Sequence, residues 1–307
     1  MGYGHGHGHA AGRAGDRRRL RLVLLITAVV LVVQLVGAWV SGSLALLADA
    51  GHMAADAAGV LLALGASYVA ALPSSRRFTF GWHRAEVLAA LVNAAALVVL
   101  CAYLVVAGVR RLLEPGGDVA PVPMIAFAVV GLLANAASLA ILTRSETGSI
   151  NLRGATTEVF ADTLGSVVVI VAGVVIWATG FERADPIGSL VIAAMILPRA
   201  VSLGRDALTV LLEVAPAEVP LDEVRDHLLG VPGVVDVHDL HAWTITTGLP
   251  SLSAHVTVTD PVLADRGVGA ILDDLSRCTT SHFAVQHATF QVEPESHRAH
   301  EDLGEAH

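Results

Sequence analysis

The chain has no lysine and only two cysteines, and just 15% of its 307 residues are charged and 5% aromatic. A soluble domain averages about 25% charged residues. The low charge, together with the 54% of hydrophobic residues, is therefore typical of a membrane protein. One cysteine, Cys101, stands in an apolar run and the other, Cys278, in a polar segment, so neither a disulfide framework nor a cysteine metal site is available.

Basic residues are also scarce in the C-terminal third. Residues 1–212 hold 15 arginines against 12 acidic residues, whereas residues 213–307 hold 4 against 16. The net charge of −9 therefore arises in the C-terminal part of the chain. Because binding to phosphates needs clustered lysine or arginine, nucleic acid is not expected as a partner.

Six apolar runs are each long enough to cross a bilayer as a helix, which takes about 20 residues. They are Leu20–Val40, Leu44–Leu72, Val87–Val109, Val122–Thr143, Ala155–Thr179 and Ile187–Leu203. The runs are continuous rather than alternating, which favours helices over the strands of a membrane barrel. The sequence predicts an α-helical bundle of six transmembrane helices over residues 20–212, embedded in a lipid bilayer.

The arginines predict the orientation of this bundle. If the N-terminus is cytoplasmic, twelve arginines of residues 1–212 fall on the cytoplasmic side, Arg199 among them. Only Arg110, Arg111 and Arg183 fall outside. Since cytoplasmic loops carry the excess of arginine, we expect a multi-pass protein of the cell membrane with both termini in the cytoplasm.

Two of the predicted helices carry ionisable residues, which are costly in a membrane and mark a site or pathway by default. The second helix holds His52 and Asp56, and the fifth holds Glu158 and Asp162, each pair four residues apart and so on one helical face. One imidazole and three carboxylates suit a borderline divalent cation, zinc above all. Asp49, one turn before His52, is expected to orient that histidine as an outer partner.

The alternative is that these groups pair with one another for structural reasons. The sequence predicts no lysine or arginine beside them within the bundle, so a bound cation or protons must neutralise them. This favours an ion site.

The C-terminal part predicts a small α+β domain over residues 213–294. Helix Leu221–Leu229, strands Val234–Ile245 and Leu252–Thr259, a helix near Val262–Cys278 and a strand near Ala284–Val292 give the order αββαβ. One interpretation of this domain is a second metal site formed by His238, His255 and Glu293; the alternative is that these histidines are solvated or satisfied within the core, as histidines on a sheet usually are. Residues 1–19, with their alternating glycine and histidine, and residues 295–307 are predicted to be disordered.

The chain contains, in order, the motifs SGSLALLADAGHMAAD, FGWHRAEVLAALVN, NLRGATTEVFADTLGS and VHDLHAW with His255 downstream. Together these motifs resemble the cation diffusion facilitator family of zinc-type metal/proton antiporters. The resemblance runs from about Leu20 to Glu293.

The resemblance implies a homodimer of six-helix protomers whose ferredoxin-like cytoplasmic domains dimerise. The resemblance places the family's transport site on His52, Asp56, Glu158 and Asp162. It also implies a charge interlock between Arg84 and Glu213, and cytoplasmic metal positions at His238, His255, Gln291 and Glu293. No organic cofactor is implied; the metal and protons are the transported species.

One departure bears on the choice of metal. Zinc-selective members commonly have histidine where this chain has Glu158, which makes the shell harder and more anionic and leaves manganese, cobalt, cadmium and iron open. The function predicted is efflux of a divalent cation, zinc first, by proton antiport. A membrane metal sensor is the alternative; an enzyme is not expected, because no HExxH pattern or nucleophile arrangement occurs.

Overall fold

The computed structural model describes residues 6–114, 119–143, 150–246, 248–285 and 287–300. These residues fall into two compact units. The first comprises the chain up to Leu62 together with Val92–Leu203, and the second comprises Ala63–Leu91 together with the chain from Gly204 onward.

Six long helices come first along the chain. They are α1 (Gly6–Ser41), α2 (Leu44–Ala70), α3 (Arg84–Leu113), α4 (Pro121–Thr143), α5 (Ile150–Thr179) and α6 (Ala184–Leu211). Within the described residues each contains a stretch long and apolar enough to cross a membrane, which in α1 is Arg21–Ser41. Large apolar side chains such as Leu25, Trp39 and Tyr68 are exposed on the protein surface, as expected of helices that contact lipid.

The start of α1 differs from the prediction of disorder over residues 1–19. The helix begins at Gly6, and residues 1–5 lie outside the described residues. Alanine and arginine are frequent between residues 10 and 21 and have high helix propensity. Once a long apolar helix is formed, each added residue contributes a hydrogen bond without a new nucleation cost, so the helix extends beyond the apolar run.

A buried carboxylate joins three of these helices. Asp185, at the start of α6, is fully buried and accepts hydrogen bonds from the backbone N–H groups of Leu44 and Ala45 at 2.7 and 3.0 Å. It also accepts from Ser43 Oγ at 2.5 Å and pairs with Arg111 of α3 at 3.3 Å. Asp185 therefore caps the N-terminus of α2 from another helix, where a negative charge is favourable.

The C-terminal domain has the predicted αββαβ order. Its elements are α7 (Leu221–Leu229), β1 (Val234–Thr244), β2 (Pro250–Val258), α8 (Asp260–Phe283) and β3 (His287–Pro294), followed by a 3₁₀ helix at Glu295–His300. That 3₁₀ helix takes up the first part of the predicted disordered tail, and residues 301–307 lie outside the described residues. The membrane helices followed by an α+β domain confirm the predicted fold class.

The sheet has the order β1-β2-β3, with β1 and β2 antiparallel and β2 and β3 parallel. Ala254, Val256 and Val258 of β2 are buried against the helices, while His255 between them is only half-buried. This alternation confirms that His255 projects from the opposite face of the sheet.

The last strand starts later than predicted. Ala284, expected to open it, instead ends α8 in the left-handed conformation with φ 54°, and its N–H donates to the Thr279 carbonyl. The left-handed cap satisfies a carbonyl at the helix end, and β3 begins at His287.

Replacing Asp185 with alanine should lower the melting temperature of the purified protein by several degrees. Loss of a helix cap costs about 1 kcal/mol, and the variant also leaves Arg111 without its buried partner. Thermal unfolding in detergent measures the effect. The control is Asp206→Ala, an exposed position on the same helix, which should leave the melting temperature nearly unchanged. Equal melting temperatures for the two variants would contradict the capping role.

Candidate metal sites

The first site lies between α2 and α5. His52 and Asp56 stand one turn apart on α2, with His52 Nε2 3.4 Å from Asp56 Oδ2. The Asp56 and Glu158 side chains, on α2 and α5, are close enough to interact directly. His52 and Asp162 are buried, with 6% and 4% of their surfaces exposed. The helical periodicity thus puts each predicted pair on one face of its helix, and Asp56 and Glu158 meet across the two helices.

Three atoms of this site are buried and have no hydrogen-bond partner among the described residues. They are His52 Nδ1, Asp56 Oδ2 and Asp162 Oδ1. Buried polar atoms are nearly always paired in proteins, and an unpaired one calls for an explanation. An imidazole nitrogen and carboxylate oxygens without hydrogen-bond partners are suitable ligand atoms for a metal or carriers of a proton.

An arginine joins the site, contrary to the expectation that no basic residue lies beside the four ionisable groups. Arg199 of α6 donates from Nη2 to Glu158 Oε2 at 2.9 Å, and the same atom lies 2.7 Å from Oε1. Its Nη1 lies 3.7 Å from Asp56 Oδ2. The sequence places Arg199 near the end of the sixth apolar run, which ends at Leu203, whereas α6 continues to Leu211. Arg199 therefore lies near the middle of the helix rather than at its cytoplasmic end.

Asp49 has a different set of partners from the one predicted. Its Oδ2 accepts a hydrogen bond from Gln34 Nε2 at 2.8 Å, and Ser166 Oγ lies 3.3 Å away. The expected contact with His52 is not formed, and Nδ1 of that histidine has no partner in the described part of the chain. The Asp49 carboxylate is instead held by donors from α1 and α5. Asp49 therefore ties α2 to these two helices.

Glycines on two neighbouring helices leave room for the contact between Asp49 and Gln34. A side-chain carbon at Gly165 of α5 would overlap Asp49 Oδ1, and one at Gly131 of α4 would overlap Gln34 Nε2. The two glycines let their helices pack directly against the Asp49–Gln34 pair. Neither Gln34 nor Ser166 was singled out from the sequence, where an uncharged polar residue in a membrane helix is a weak signal.

The second site lies on the sheet of the C-terminal domain. His238 of β1 is directly opposite His255 of β2, and Glu293 stands on β3. His238 Nε2 is 3.5 Å from Glu293 Oε2, and His255 Nδ1 is 3.2 Å from Glu293 Oε1. One ligand atom from each of the three residues lies within 4.8 Å of the others. The structure thus brings together the three predicted side chains.

Three further residues that the resemblance named can be placed in the structure. Gln291 Nε2 donates to Glu293 Oε1 at 2.6 Å, so this amide holds the glutamate from the neighbouring position on the same face of β3. Arg84 Nη2 lies 2.6 Å from Glu213 Oε1, the ion pair that the resemblance implied. Both side chains of that pair are well exposed, and exposed pairs contribute little stability.

Known protein families account for both parts of the chain. The family model described as "Cation efflux transmembrane domain" matches residues 20–212, and "Cation efflux protein, cytoplasmic domain" matches residues 216–295. The chain belongs to the cation efflux family, the cation diffusion facilitators. This cation diffusion facilitator is a multi-pass membrane protein of a transporter family and not of an enzyme family.

Three relatives illustrate the similarity. The metal cation efflux system protein CzcD of Cupriavidus metallidurans is 36% identical over 95% of this chain and 90% of its own length. The zinc transporter ZitB of Escherichia coli is 39% identical over 91% and 88%. A "cadmium, cobalt and zinc/H(+)-K(+) antiporter" of Bacillus subtilis is 32% identical over 87% and 86%.

Among solved structures, the metal-bound C-terminal domain of the CzcD transporter is 37% identical to this cation diffusion facilitator. It matches 24% of this chain and 99% of that domain, with a TM-score of 0.22.

A Gly165→Ala variant of this cation diffusion facilitator should be less stable than the wild type. The added methyl group overlaps the Asp49 carboxylate, so either the aspartate or α5 must shift, and the bond to Gln34 is strained. We expect a melting temperature in detergent several degrees lower, because overpacking costs about 1–3 kcal/mol.

Gly154→Ala is the matched control on α5, because a carbon added at Gly154 has no heavy atom within 4 Å. Alanine in a helix is favoured over glycine by about 0.5–1 kcal/mol, so this variant should be as stable as the wild type or more so. Equal stability of the Gly165 and Gly154 variants would contradict the tight contact at Asp49.

Proposed function

We propose that this protein exports a divalent cation, zinc first, in exchange for protons, and that His52, Asp56, Glu158 and Asp162 hold the metal. The observation that carries the proposal is the direct contact of Asp56 on α2 with Glu158 on α5, together with buried atoms of His52, Asp56 and Asp162 that have no hydrogen-bond partner among the described residues. Four ligand groups match the coordination number that zinc takes in proteins.

Proton exchange follows from the chemistry of the ligands. Imidazole and carboxylate groups bind metal only when they are deprotonated, so metal binding releases protons and proton binding releases metal. A site open to one side at a time therefore couples metal movement to proton movement in the opposite direction. The antiporter name of the Bacillus subtilis relative is in keeping with this scheme.

Metal selectivity is assigned to zinc over harder ions because the site contains an imidazole. Manganese, cobalt, cadmium and iron remain alternatives because Glu158 makes three of the four ligands carboxylates, which suit harder cations. The CzcD and ZitB relatives carry metal-cation and zinc names.

The arginine distribution supports a cell-membrane orientation with both termini and the acidic domain in the cytoplasm. We further propose that the protein is a homodimer and that its C-terminal domain takes part in dimerisation. A domain of about 80 residues has a marginal core by itself, and the match to the cytoplasmic domain of cation efflux proteins supports this role.

The sheet cluster is proposed as a cytoplasmic metal site formed by His238, His255 and Glu293. Two imidazoles and a carboxylate leave a fourth position of a tetrahedral shell open to another ligand. Glu293 is held by Gln291 and buried, so this ligand is preorganised, in the way that outer hydrogen bonds orient metal ligands.

Asp162→Asn and Asp56→Asn should each abolish transport, because either change removes an anionic ligand while keeping the side-chain volume. Zinc flux into liposomes that contain the purified protein and an imposed pH gradient measures the activity. We expect both variants to fall to the background of protein-free liposomes while eluting normally in gel filtration. Asp206→Asn is the control on an exposed position of α6. Wild-type flux in the Asp162 variant would overturn the assignment.

His238→Ala should remove one zinc-binding event from the protein. To isolate the sheet cluster, the change is made in the Asp56→Asn/Asp162→Asn background, and zinc binding is followed by calorimetry in detergent. We expect at least about a tenfold loss of affinity, because ligand removal affects a metal site more than the 10–100-fold loss from an outer partner. His287→Ala, an exposed histidine on β3, should bind zinc as before. Unchanged binding by the His238 variant would exclude the cluster.

A further inference from the structure

Arg199 contacts two of the four proposed transport ligands at once. Its guanidinium lies 2.7 and 2.9 Å from the two oxygens of Glu158, and 3.7 Å from Asp56 Oδ2. The two carboxylates belong to different helices, and the arginine belongs to a third, α6. The guanidinium therefore stands at the oxygens that a divalent cation would use.

The sign of its effect on the metal follows from electrostatics. A positive charge a few ångströms from a cation site repels the cation, and this repulsion is stronger where the surroundings are less polar than water. An oxygen that already accepts from a guanidinium also has less charge to offer to a metal. Arg199 therefore weakens metal binding relative to a neutral residue at the same place.

The total charge of the ligand set explains why a weaker metal site can be useful for transport. With neutral His52 and three ionised carboxylates, the ligands carry −3, and Arg199 reduces the total to −2. A set with histidine in place of Glu158 and a neutral residue in place of Arg199 would also carry −2. The Glu158 and Arg199 pair is thus equivalent in charge to a neutral ligand without an arginine.

The surroundings of Arg199 allow it to move when a metal arrives. Its side chain is 48% exposed, so the guanidinium has room on the side away from the carboxylates. Pro198 precedes it within α6, and a proline inside a helix removes the hydrogen bond to the carbonyl four residues earlier. The helix is therefore less constrained at the point where Arg199 begins.

We propose that Arg199 is a built-in competing cation that offsets the extra charge of Glu158, sets the affinity of the transport site and promotes release of the metal. The proposal rests on the transport function proposed above. It makes Arg199 a residue that tunes metal affinity without being a metal ligand itself.

Equilibrium zinc binding tests whether Arg199 offsets the charge of Glu158. The four proteins are a reference with the wild-type transport site, Arg199→Gln, Glu158→His and the double variant, all with His238→Ala and His255→Ala so that the sheet cluster does not contribute to the titration; the reference is the wild type of the comparisons below. We expect Arg199→Gln to bind zinc about tenfold more tightly than wild type and Glu158→His to bind it less tightly. The double variant should return to within a few-fold of wild type.

Transport by the same proteins separates competition from a structural role. Arg199→Gln should lower KM and kcat together, because the metal binds more tightly and leaves more slowly. Arg199→Lys keeps the charge and should retain wild-type affinity to within a few-fold. A structural role would instead raise KM, or reduce the yield of folded protein, in the Gln variant.

Failure of the Arg199 proposal and failure of the transport-site proposal give different results. If Arg199→Gln binds zinc with unchanged or lower affinity, the competition is disproved, and the transport function stands as long as Asp162→Asn still loses flux. If Asp162→Asn keeps both binding and flux, the proposed transport site itself fails. Should Arg199→Gln not fold, the comparison of Glu158→His with the double variant decides, because the double variant must bind zinc more tightly.

Discussion

The cost of placing carboxylates among membrane helices governs this structure. Each acidic group in the bundle needs hydrogen-bond donors or a positive charge nearby, and the described residues supply these in different ways. Asp185 accepts from backbone N–H groups at the start of α2, Asp49 is held by neutral hydrogen-bond donors, and Glu158 is paired with Arg199. Asp162 keeps one oxygen without a hydrogen-bond partner in the described part of the chain. The first two are structural solutions; the last is typical of an exchangeable ligand.

These contacts divide the acidic residues of the bundle into structural residues and proposed metal ligands. The Asp185 and Asp49 contacts tie α2 to α6 and to α1 and α5, which keeps the helix that carries His52 in a defined place. A ligand site needs such support, since affinity depends on side chains that are held before the ligand arrives. The groups proposed to bind metal are supported on both sides by acidic residues that have permanent partners.

The C-terminal domain presents a related arrangement on a sheet. The strand order places β2 between its two partners, so residues from three strands meet on the face that does not pack against the helices. His238 and His255 come together through antiparallel pairing, and Glu293 joins them through the parallel strand. One face of each strand builds the apolar core, and the other builds the cluster.

Local sequence patterns were sufficient for the elements and for the ligand pairs. Six continuous apolar runs can only be membrane helices, and a spacing of four residues puts His52 with Asp56, and Glu158 with Asp162, on one face whatever the neighbours are. Alternation in β2 likewise separates His255 from Val256. The helix ends were less predictable, because Gly6 and Ala284 are governed by helix propagation and capping rather than by hydrophobicity.

Only the tertiary structure decided which helix supplies the partner of each buried carboxylate. The reach of Arg199 to Glu158, the capture of Asp49 by Gln34 and the capping of α2 by Asp185 join residues that are 41, 15 and about 140 positions apart. No periodicity within one helix encodes such contacts, because they depend on how the helices are rotated and how closely glycines let them approach. The sequence by itself determined that α2 carries His52 and Asp56 on one face and that α5 carries Glu158 and Asp162 on one face. The packing of the helices determined how each buried charge is neutralised.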